Sequence, residues 1–200
     1  MDITTATAQY ETWLGSHLPA PVMPEDLARK HHDMAQGAFI FLRATFYRWA
    51  QLWPTVCPEL ASAPAVLAVG DLHVENFGTW RDAEGRLIWG VNDFDECCTL
   101  PYTNDLVRLA TSVNLASLEK QLAIPLGKAC ATILDGYATG LKSGGAPFVL
   151  AEHHRALRDL AMSDLRDPEQ FWQKMDALPS MTGDVPASAV QALERALPPR

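Results

Sequence analysis

The sequence has no long apolar run and few basic residues. No stretch approaches the roughly 20 consecutive apolar residues that a helix needs to cross a bilayer. The first residues, MDITTATAQYETW, lack the basic start and apolar core of a signal peptide. The 16 lysines and arginines are outnumbered by 24 acids, and the net charge of -8 is opposite to the basic footprint of a general nucleic-acid-binding protein. We therefore expect a cytoplasmic protein with neither a membrane nor a nucleic acid as partner.

The four cysteines include no C-x-x-C pair, the spacing typical of zinc and redox sites. Cys57 and Cys130 are isolated, whereas Cys97 and Cys98 are adjacent. The adjacent thiols allow a redox or soft-metal interpretation. We favour burial as two small side chains beside a strand end, because free cysteine is among the most buried residue types.

Apolar residues are plentiful enough for one substantial globular domain. Of the 200 residues, 48% are hydrophobic and 20% are charged, which is typical of soluble globular proteins. Apolar residues recur at helical spacing in several segments, so the expected fold class is α+β and mostly helical. The predicted helices lie at about 24–35, 38–53, 104–117, 125–141, 150–163, 168–177 and 187–197.

Prolines mark the segments that we expect to be irregular. Pro19, Pro21 and Pro24 interrupt the start of the chain, so residues 1–24 are predicted to be an irregular lead-in to a single domain at residues 25–200. An extended linker is predicted after the helix at 38–53, at Pro54, Pro58 and Pro64.

Two short apolar runs, at residues 65–69 and 87–91, predict strands that each end in polar side chains. The first run leads into the first polar loop, residues 70–76 (GDLHVEN), and the second into the second polar loop, residues 92–96 (NDFDE). Between the runs, residues 82–85 (DAEG) have the composition of a hairpin turn. If the two runs pair as antiparallel strands, both polar loops lie at one neighbouring edge.

The polar loops contain the residue types that phosphoryl transfer requires. Asp71 directly follows a predicted strand, and its carboxylate can accept a proton from a substrate hydroxyl. The amide oxygen of Asn76, five residues on, and the carboxylate of Asp93 can bind a divalent cation. Magnesium takes few protein ligands and completes its shell with water and phosphate oxygens. One base, one amide ligand and one carboxylate ligand indicate phosphoryl transfer from a nucleotide.

These residues resemble known phosphotransferases. The first polar loop resembles the H-G-D-x-H-x-x-N catalytic loop of aminoglycoside phosphotransferases and choline kinases, and the second is similar to their I-D-F/W-x metal-binding segment. More closely, FLRATFYRW, VGDLHVENFGTW, NDFDE and PYTNDLVRLATS together resemble the bacterial "domain of unknown function 2252" family over residues 25–197. That family is grouped with the protein-kinase-like fold. The resemblance therefore implies a kinase-like catalytic lobe with a small β-hairpin that carries the catalytic and metal-binding loops.

The resemblance also implies roles for individual residues. Asp71 would be the catalytic base, and His73 would brace its loop. Asp105, which opens a helix, would support that loop through hydrogen bonds, as the D-L pair of the phosphotransferases does. Val69 departs from the pattern, since the phosphotransferases have His there, and this removes a loop-orienting side chain but no catalytic group.

The implied cofactors are ATP and Mg²⁺ or Mn²⁺, and the implied partners are a nucleotide and an unidentified phosphate acceptor. Asn76 and Asp93 would bind the metal, while Asp95 would support that site or bind a second metal. Arg43 lies beside the aromatic face of a predicted helix, which suits a salt bridge, a solvated side chain or a phosphate-binding role.

The nucleotide-gripping features of kinases are not found. None of the twelve glycines forms a G-x-G-x-x-G loop, and none of the five lysines lies in a V-A-I-K-like strand. The related family is circularly permuted, with these features after the catalytic motifs. We therefore expect the chain to end before the phosphate-gripping lobe, and to bind nucleotide weakly by itself.

Two alternatives remain. The G-D-x-H sequence at residues 70–73 also opens the site of two-metal phosphoesterases, in which Asp and His bind metal directly. Those enzymes need a later G-D-x-x-x-R and a G-N-H-E/D segment, and neither occurs here. The other alternative is a non-catalytic module that keeps a kinase-like fold and acts through partners.

Overall fold

A computed structural model describes residues 1–19, 21–119, 122–162, 168–178 and 187–196. The predicted α+β, mostly helical class is confirmed, and the chain forms two compact units, Met1–His154 and Arg155–Arg200. The predicted domain at 25–200 spans both. The elements of the first unit are α1 (Ile3–His17), α2 (Pro24–Met34), α3 (Ala38–Ala44), α4 (Phe46–Val56), α5 (Pro58–Ala61), β1 (Ala65–Ala68), β2 (Phe77–Arg81), β3 (Leu87–Val91), β4 (Cys98–Pro101), α6 (Tyr102–Leu118), α7 (Leu126–Lys142) and α8 (Leu150–His153). The elements of the second are α9 (Arg155–Ala161), α10 (Pro168–Asp176) and α11 (Ala187–Ala196).

The N-terminal segment is helical, so the prediction of an irregular lead-in at 1–24 was wrong. Helix α1 begins after Asp2, whose Oδ1 atom accepts a hydrogen bond of 2.8 Å from the backbone N–H of Thr5. Such a side-chain cap satisfies one of the unpaired donors at a helix start. The prolines that suggested irregularity all follow this helix, and Pro24 begins α2.

The predicted helix at 38–53 is two helices. The backbone of Thr45 leaves the helical region (φ -130°, ψ 38°), and this break separates α3 from α4. The predicted extended linker was also wrong, because α4 continues through Pro54 to Val56 and Pro58 begins α5. Proline is readily accommodated at the first turn of a helix, where its missing N–H has no partner to lose.

The two apolar runs form strands, but they do not pair with each other. Instead β1 pairs with β4, with Ala68 opposite Cys98, and β2 pairs with β3, with Phe77 opposite Val91. The predicted hairpin turn at 82–85 is confirmed and joins β2 to β3, with Gly85 in the left-handed region at φ 78°. Strands β2 and β4 are not among the predicted strands. Strand β4 has only four residues and ends in a proline, so its sequence signal is weak.

The polar loops nevertheless lie side by side. The second polar loop connects β3 to β4, and β4 is paired with β1, which leads into the first polar loop. The backbone N–H of Asn92 donates to the carbonyl of Asn76 at 3.0 Å, and Gly70 packs closely on the carbonyl of Glu96. In the part of the chain that the structure describes, no helix is both long and apolar enough to cross a membrane.

Gly70→Ala should destabilise the first unit more than Gly85→Ala does. Both glycines have positive φ (84° and 78°), which costs a residue with a side chain about 1–2 kcal/mol. A Cβ atom at position 70 would lie 2.4 Å from the carbonyl oxygen of Glu96, whereas one at position 85 meets nothing within 4 Å. We expect a loss of about 3 kcal/mol in the free energy of unfolding for Gly70→Ala and about 1 kcal/mol for Gly85→Ala. Urea unfolding measures both, and equal losses would contradict the close packing of the two loops.

Candidate active site

A cleft of about 500 Å³ lies where the two polar loops face α2 and α3. The loops contribute its acidic wall, which consists of Asp71, Asp93, Asp95 and Glu96. Helices α2 and α3 contribute three cations and two further acids to the lining: Asp26, Arg29, Lys30, Asp33 and Arg43. Two tyrosines, from α1 and α4, also line the cleft: Tyr10 and Tyr47. The cleft thus brings acids and cations together across one open space.

Most of the predicted site residues line this cleft. Those that do are Arg43, Asp71, His73, Asp93 and Asp95. The two that do not are Asn76, which is buried at the end of the first polar loop, and Asp105, which lies at the start of α6. Sequence reasoning gave no role in the site to Arg29, Lys30, Tyr10 or Tyr47.

Asp105 holds the start of the first polar loop. Its Oδ2 atom accepts a hydrogen bond of 2.7 Å from the backbone N–H of Val69, and its Oδ1 atom accepts one of 3.1 Å from that of Gly70. A carboxylate that accepts two backbone hydrogen bonds fixes the exit of β1 relative to α6. Asp71 is the next residue along the chain, so its backbone position is set by these contacts.

His73 and Asn76 form the next part of the loop by capping a short 3₁₀ turn, Val74–Asn76. The Nδ1 atom of His73 accepts a hydrogen bond of 3.2 Å from the backbone N–H of Glu75, and the Oδ1 atom of Asn76 accepts one of 2.6 Å from that of His73. Both side chains are buried. The amide oxygen that the resemblance gave to a metal is therefore already bound to the loop.

Arg108 of α6 is the principal site residue that sequence reasoning missed. Its side chain is fully buried, and its Nε atom donates to Oδ1 of Asp71 at 3.0 Å. Its Nη2 atom also donates to that oxygen, and to the carbonyl of Leu42 at 2.7 Å. The guanidinium lies over the rings of Phe46 and Trp49, at 5.2 and 5.1 Å from their centroids. The available signal was its spacing of three from Asp105, on the same helix face.

The environment of Asp71 makes it suitable as a base. Burial raises the pKa of Asp71 to about 6, Arg108 opposes this effect, and the charges of Glu96 and Asp95 add to it. A general base works best when its pKa lies near the working pH. Because Arg108 occupies Oδ1, the Oδ2 atom remains for a substrate proton, and it lies 3.9 Å from Nε2 of His73.

His73 is held neutral. Burial lowers the pKa of His73 to about 4, and the charges of Arg43 and Arg108 act in the same direction, against Asp93. Because Nδ1 accepts a backbone hydrogen bond, the proton of the neutral ring must be on Nε2, the atom nearer to Asp71. Protonation of Nδ1 would break its hydrogen bond with the loop.

Asp93 and Asp95 are exposed acids that the second polar loop contributes to the cleft. Burial raises the pKa of Asp95, and a hydrogen bond with Asp93 and the charge of Asp93 raise it further. Two carboxylates this close repel each other, and a divalent cation relieves the repulsion. Among the described residues, no group of three or more His, Cys, Asp or Glu side chains is arranged to hold a metal ion. A pair of carboxylates fits magnesium, which takes its other ligands from water and phosphate.

Arg43 lies at the rim of the cleft in an ion pair. Its Nη1 atom is 2.6 Å from Oε2 of Glu75, and both side chains are about half exposed. An exposed pair of this kind contributes about 0–1 kcal/mol to stability. The pair therefore orients Arg43 without fixing it as strongly as burial fixes Arg108.

Residues 22–177 match the family described as "Uncharacterized protein conserved in bacteria (DUF2252)". The chain belongs to this family. The matched segment of this DUF2252 chain contains both polar loops, the cationic residues of α2 and α3, and Arg108. No curated protein and no solved structure matches the chain.

The buried ion pair of this DUF2252 chain, Arg108 and Asp71, should show strong energetic coupling in a double-mutant cycle. Arg108→Met leaves the carboxylate of Asp71 and the carbonyl of Leu42 without their donor, and we expect it to lower the free energy of unfolding by about 3–5 kcal/mol. Asp71→Asn alone should also destabilise the protein, because Arg108 stays buried. The double variant should lose clearly less than the sum of the two.

Urea unfolding of the four proteins at neutral pH measures this coupling. The exposed pair Arg43–Glu75 is the matched control, and its double-mutant cycle should give a coupling below about 1 kcal/mol. Additive losses for Arg108→Met and Asp71→Asn would contradict the buried ion pair.

The His73 contribution to stability should fall as the pH falls from about 6.5 to about 4. In this window the unfolded chain binds a proton at His73 and the folded protein does not, so protonation favours unfolding. The contribution amounts to at most about 3 kcal/mol. Asp71 acts in the opposite direction, because its folded pKa is raised, so total stability does not isolate the effect.

The measurement is therefore a difference between variants. His73→Asn keeps an acceptor for the N–H of Glu75 but does not titrate. The stability difference between the unsubstituted protein and this variant should shrink by about 2–3 kcal/mol between pH 7 and pH 4.5. The exposed His32 provides the control His32→Asn. A pH-independent difference for His73→Asn would refute the neutral, buried imidazole.

Proposed function

We propose that this chain carries the catalytic base and metal-binding acids of a kinase-like phosphotransferase, which uses ATP and Mg²⁺ to phosphorylate a hydroxyl group. The observation that carries the proposal is the cleft in which Asp71, with its pKa raised to about 6, lies on one wall with Asp93 and Asp95. A base and a pair of hard-oxygen ligands in one cleft are the parts that phosphoryl transfer requires. The kinase-like fold is part of the proposal and is supported by the order of the motifs.

Asp71 is assigned the role of general base. Its Oδ2 atom accepts the proton of the acceptor hydroxyl as the oxygen attacks phosphorus, while Arg108 holds Oδ1 and fixes the direction of the carboxylate. His73 presents Nε2–H beside Asp71 and ties the loop to the backbone of Glu75. Arg108 and His73 act through Asp71, so both are positioning residues.

Asp93 and Asp95 are assigned to the divalent cation. Both line the cleft, whereas Asn76 lies outside its lining and its amide oxygen accepts the N–H of His73. We therefore move the metal-binding role from Asn76 to Asp95. When bound, ATP with Mg²⁺ supplies the phosphoryl group and neutralises charge that develops during transfer.

The phosphoesterase alternative receives less support from the geometry. It requires Asp71 and His73 to bind metal directly. The Nδ1 atom of His73 is engaged with the backbone of Glu75, its Nε2 atom carries the proton, and one oxygen of Asp71 is held by Arg108. A histidine ligates a metal through an unprotonated nitrogen, which this arrangement does not offer to the cleft.

The protein should form ADP from ATP in the presence of Mg²⁺, with water as the acceptor when no other is supplied. Asp71→Asn should lower the rate by about 10²–10⁴-fold, as expected for loss of a general base. Asp93→Asn should raise the Mg²⁺ concentration that is needed for activity. The control is Asp135→Asn, which changes an exposed acid of α7 outside the cleft and should leave the rate unchanged.

Three outcomes separate the functions. Unchanged ADP formation in Asp71→Asn and Asp93→Asn would refute the phosphotransferase mechanism. Hydrolysis of p-nitrophenyl phosphate with Mn²⁺, abolished by His73→Ala, would support the phosphoesterase instead. Binding of a non-hydrolysable ATP analogue without turnover would indicate a non-catalytic module.

A further inference from the structure

Lys30 is a lysine in an acidic cleft without a carboxylate partner. Its ammonium group lies 5.2 Å from the centre of the Tyr10 ring, and among the described residues it has no salt bridge within 4.0 Å. Burial and the charge of Asp95 raise the pKa of Glu96, and the charge of Lys30 opposes them, so Lys30 and Glu96 interact electrostatically within the cleft. Three N–H donors of Lys30 are thus available to a ligand.

Arg43 complements Lys30 from α3. A single Nη1 contact with Glu75 engages one of the five N–H donors of its guanidinium. A guanidinium binds phosphate in the same forked geometry as it binds carboxylate, so a phosphate oxygen can take the position that Glu75 holds or use the remaining donors. Arg29 is different, because its side chain is 75% exposed and pairs with Asp26 on the same helix.

The position of these cations defines what they can bind. They line the same cleft of about 500 Å³ as Asp71, Asp93 and Asp95, and these acids repel any free anion. A divalent cation on the acidic wall removes this repulsion and leaves the phosphate groups of the same ligand directed toward Lys30 and Arg43. The arrangement suits a ligand that carries both a metal ion and phosphate.

We infer that Lys30 and Arg43 form a phosphate-binding site for a metal-complexed diphosphate or triphosphate, in the same cleft as the metal-binding acids. This inference rests on the proposed phosphotransferase function. It places phosphate-binding residues of that function within the chain, on α2 and α3. From the sequence alone, the phosphate-binding residues are expected outside the chain, since no lysine follows the kinase strand pattern. Lys30, a lysine on a helix that lines the same cleft as the polar loops, can bind phosphate in place of a strand lysine.

Calorimetric titration of the protein with magnesium pyrophosphate tests the site. Lys30→Gln and Arg43→Gln should each weaken binding by about tenfold, and the double variant should weaken it further, because each change removes a charge-assisted contact. Lys128→Gln is the matched control, since Lys128 is an exposed lysine of α7 outside the cleft, and its affinity should stay within about twofold of the unsubstituted protein. Circular dichroism should show all variants folded, because Arg43 is exposed and Lys30 forms no salt bridge.

Two further ligands identify the source of the phosphate. If the two substitutions weaken the binding of magnesium ATP as they weaken that of pyrophosphate, the site holds the nucleotide. If, of the two further ligands, they weaken the binding of glycerol phosphate alone, the site holds a phosphorylated acceptor. Equal pyrophosphate affinity in the double variant and the unsubstituted protein, or no binding by either, would overturn the inference. Failure of the phosphotransferase proposal is distinct, because it appears as unchanged ADP formation in Asp71→Asn while pyrophosphate binding still depends on Lys30 and Arg43.

Discussion

A buried ion pair between Arg108 and Asp71 determines how the first unit is assembled. A fully buried guanidinium is costly unless its charge is balanced and its donors are bonded. Three neighbours meet most of this requirement: the Asp71 carboxylate, the Leu42 carbonyl near the end of α3, and the aromatic rings of α4. The Nη1 atom of Arg108 is buried and has no hydrogen-bond partner among the described residues. The carbonyl is available because α3 ends soon after it, at the break at Thr45. The helix break, the loop and α6 are therefore parts of one arrangement.

Local patterns predicted helices α6 and α7 well and the strand pairing poorly. Helices α6 and α7 follow an apolar periodicity that is contained within each segment, so their positions could be predicted from the sequence. Strand pairing depends on which segments meet in space, and β4 approaches β1 only because the second polar loop brings it there. Helix α1 has a weak apolar stripe, and its start depends on the Asp2 cap. The prolines that follow it therefore led to the wrong prediction of an irregular segment.

The same distinction holds for the candidate site. Asp71, Asp93 and Asp95 could be found because they lie in short contiguous motifs after strands. Lys30 and Arg108 could not be assigned in the same way, because each lies in a helix and its role arises when a distant segment folds against it. Asn76 shows the reverse error. Its spacing from Asp71 suits a metal ligand, but the 3₁₀ turn directs its oxygen to the backbone of His73.

The separation of charge in the cleft is itself an argument for ligand binding. Asp93 and Asp95 act on each other and Lys30 lies over the Tyr10 ring. Among the described residues none of these three side chains forms a salt bridge, although Arg43 pairs with Glu75 of the first polar loop. Pairing between these opposite charges would relieve the repulsion that raises the pKa of Asp95 and would engage the ammonium of Lys30. The repulsion between Asp93 and Asp95 and the ammonium of Lys30 without a salt bridge are unfavourable in the free protein. Unfavourable arrangements of charge are concentrated at functional sites. A ligand with a cation on one side and phosphate on the other satisfies both sets of charges at once.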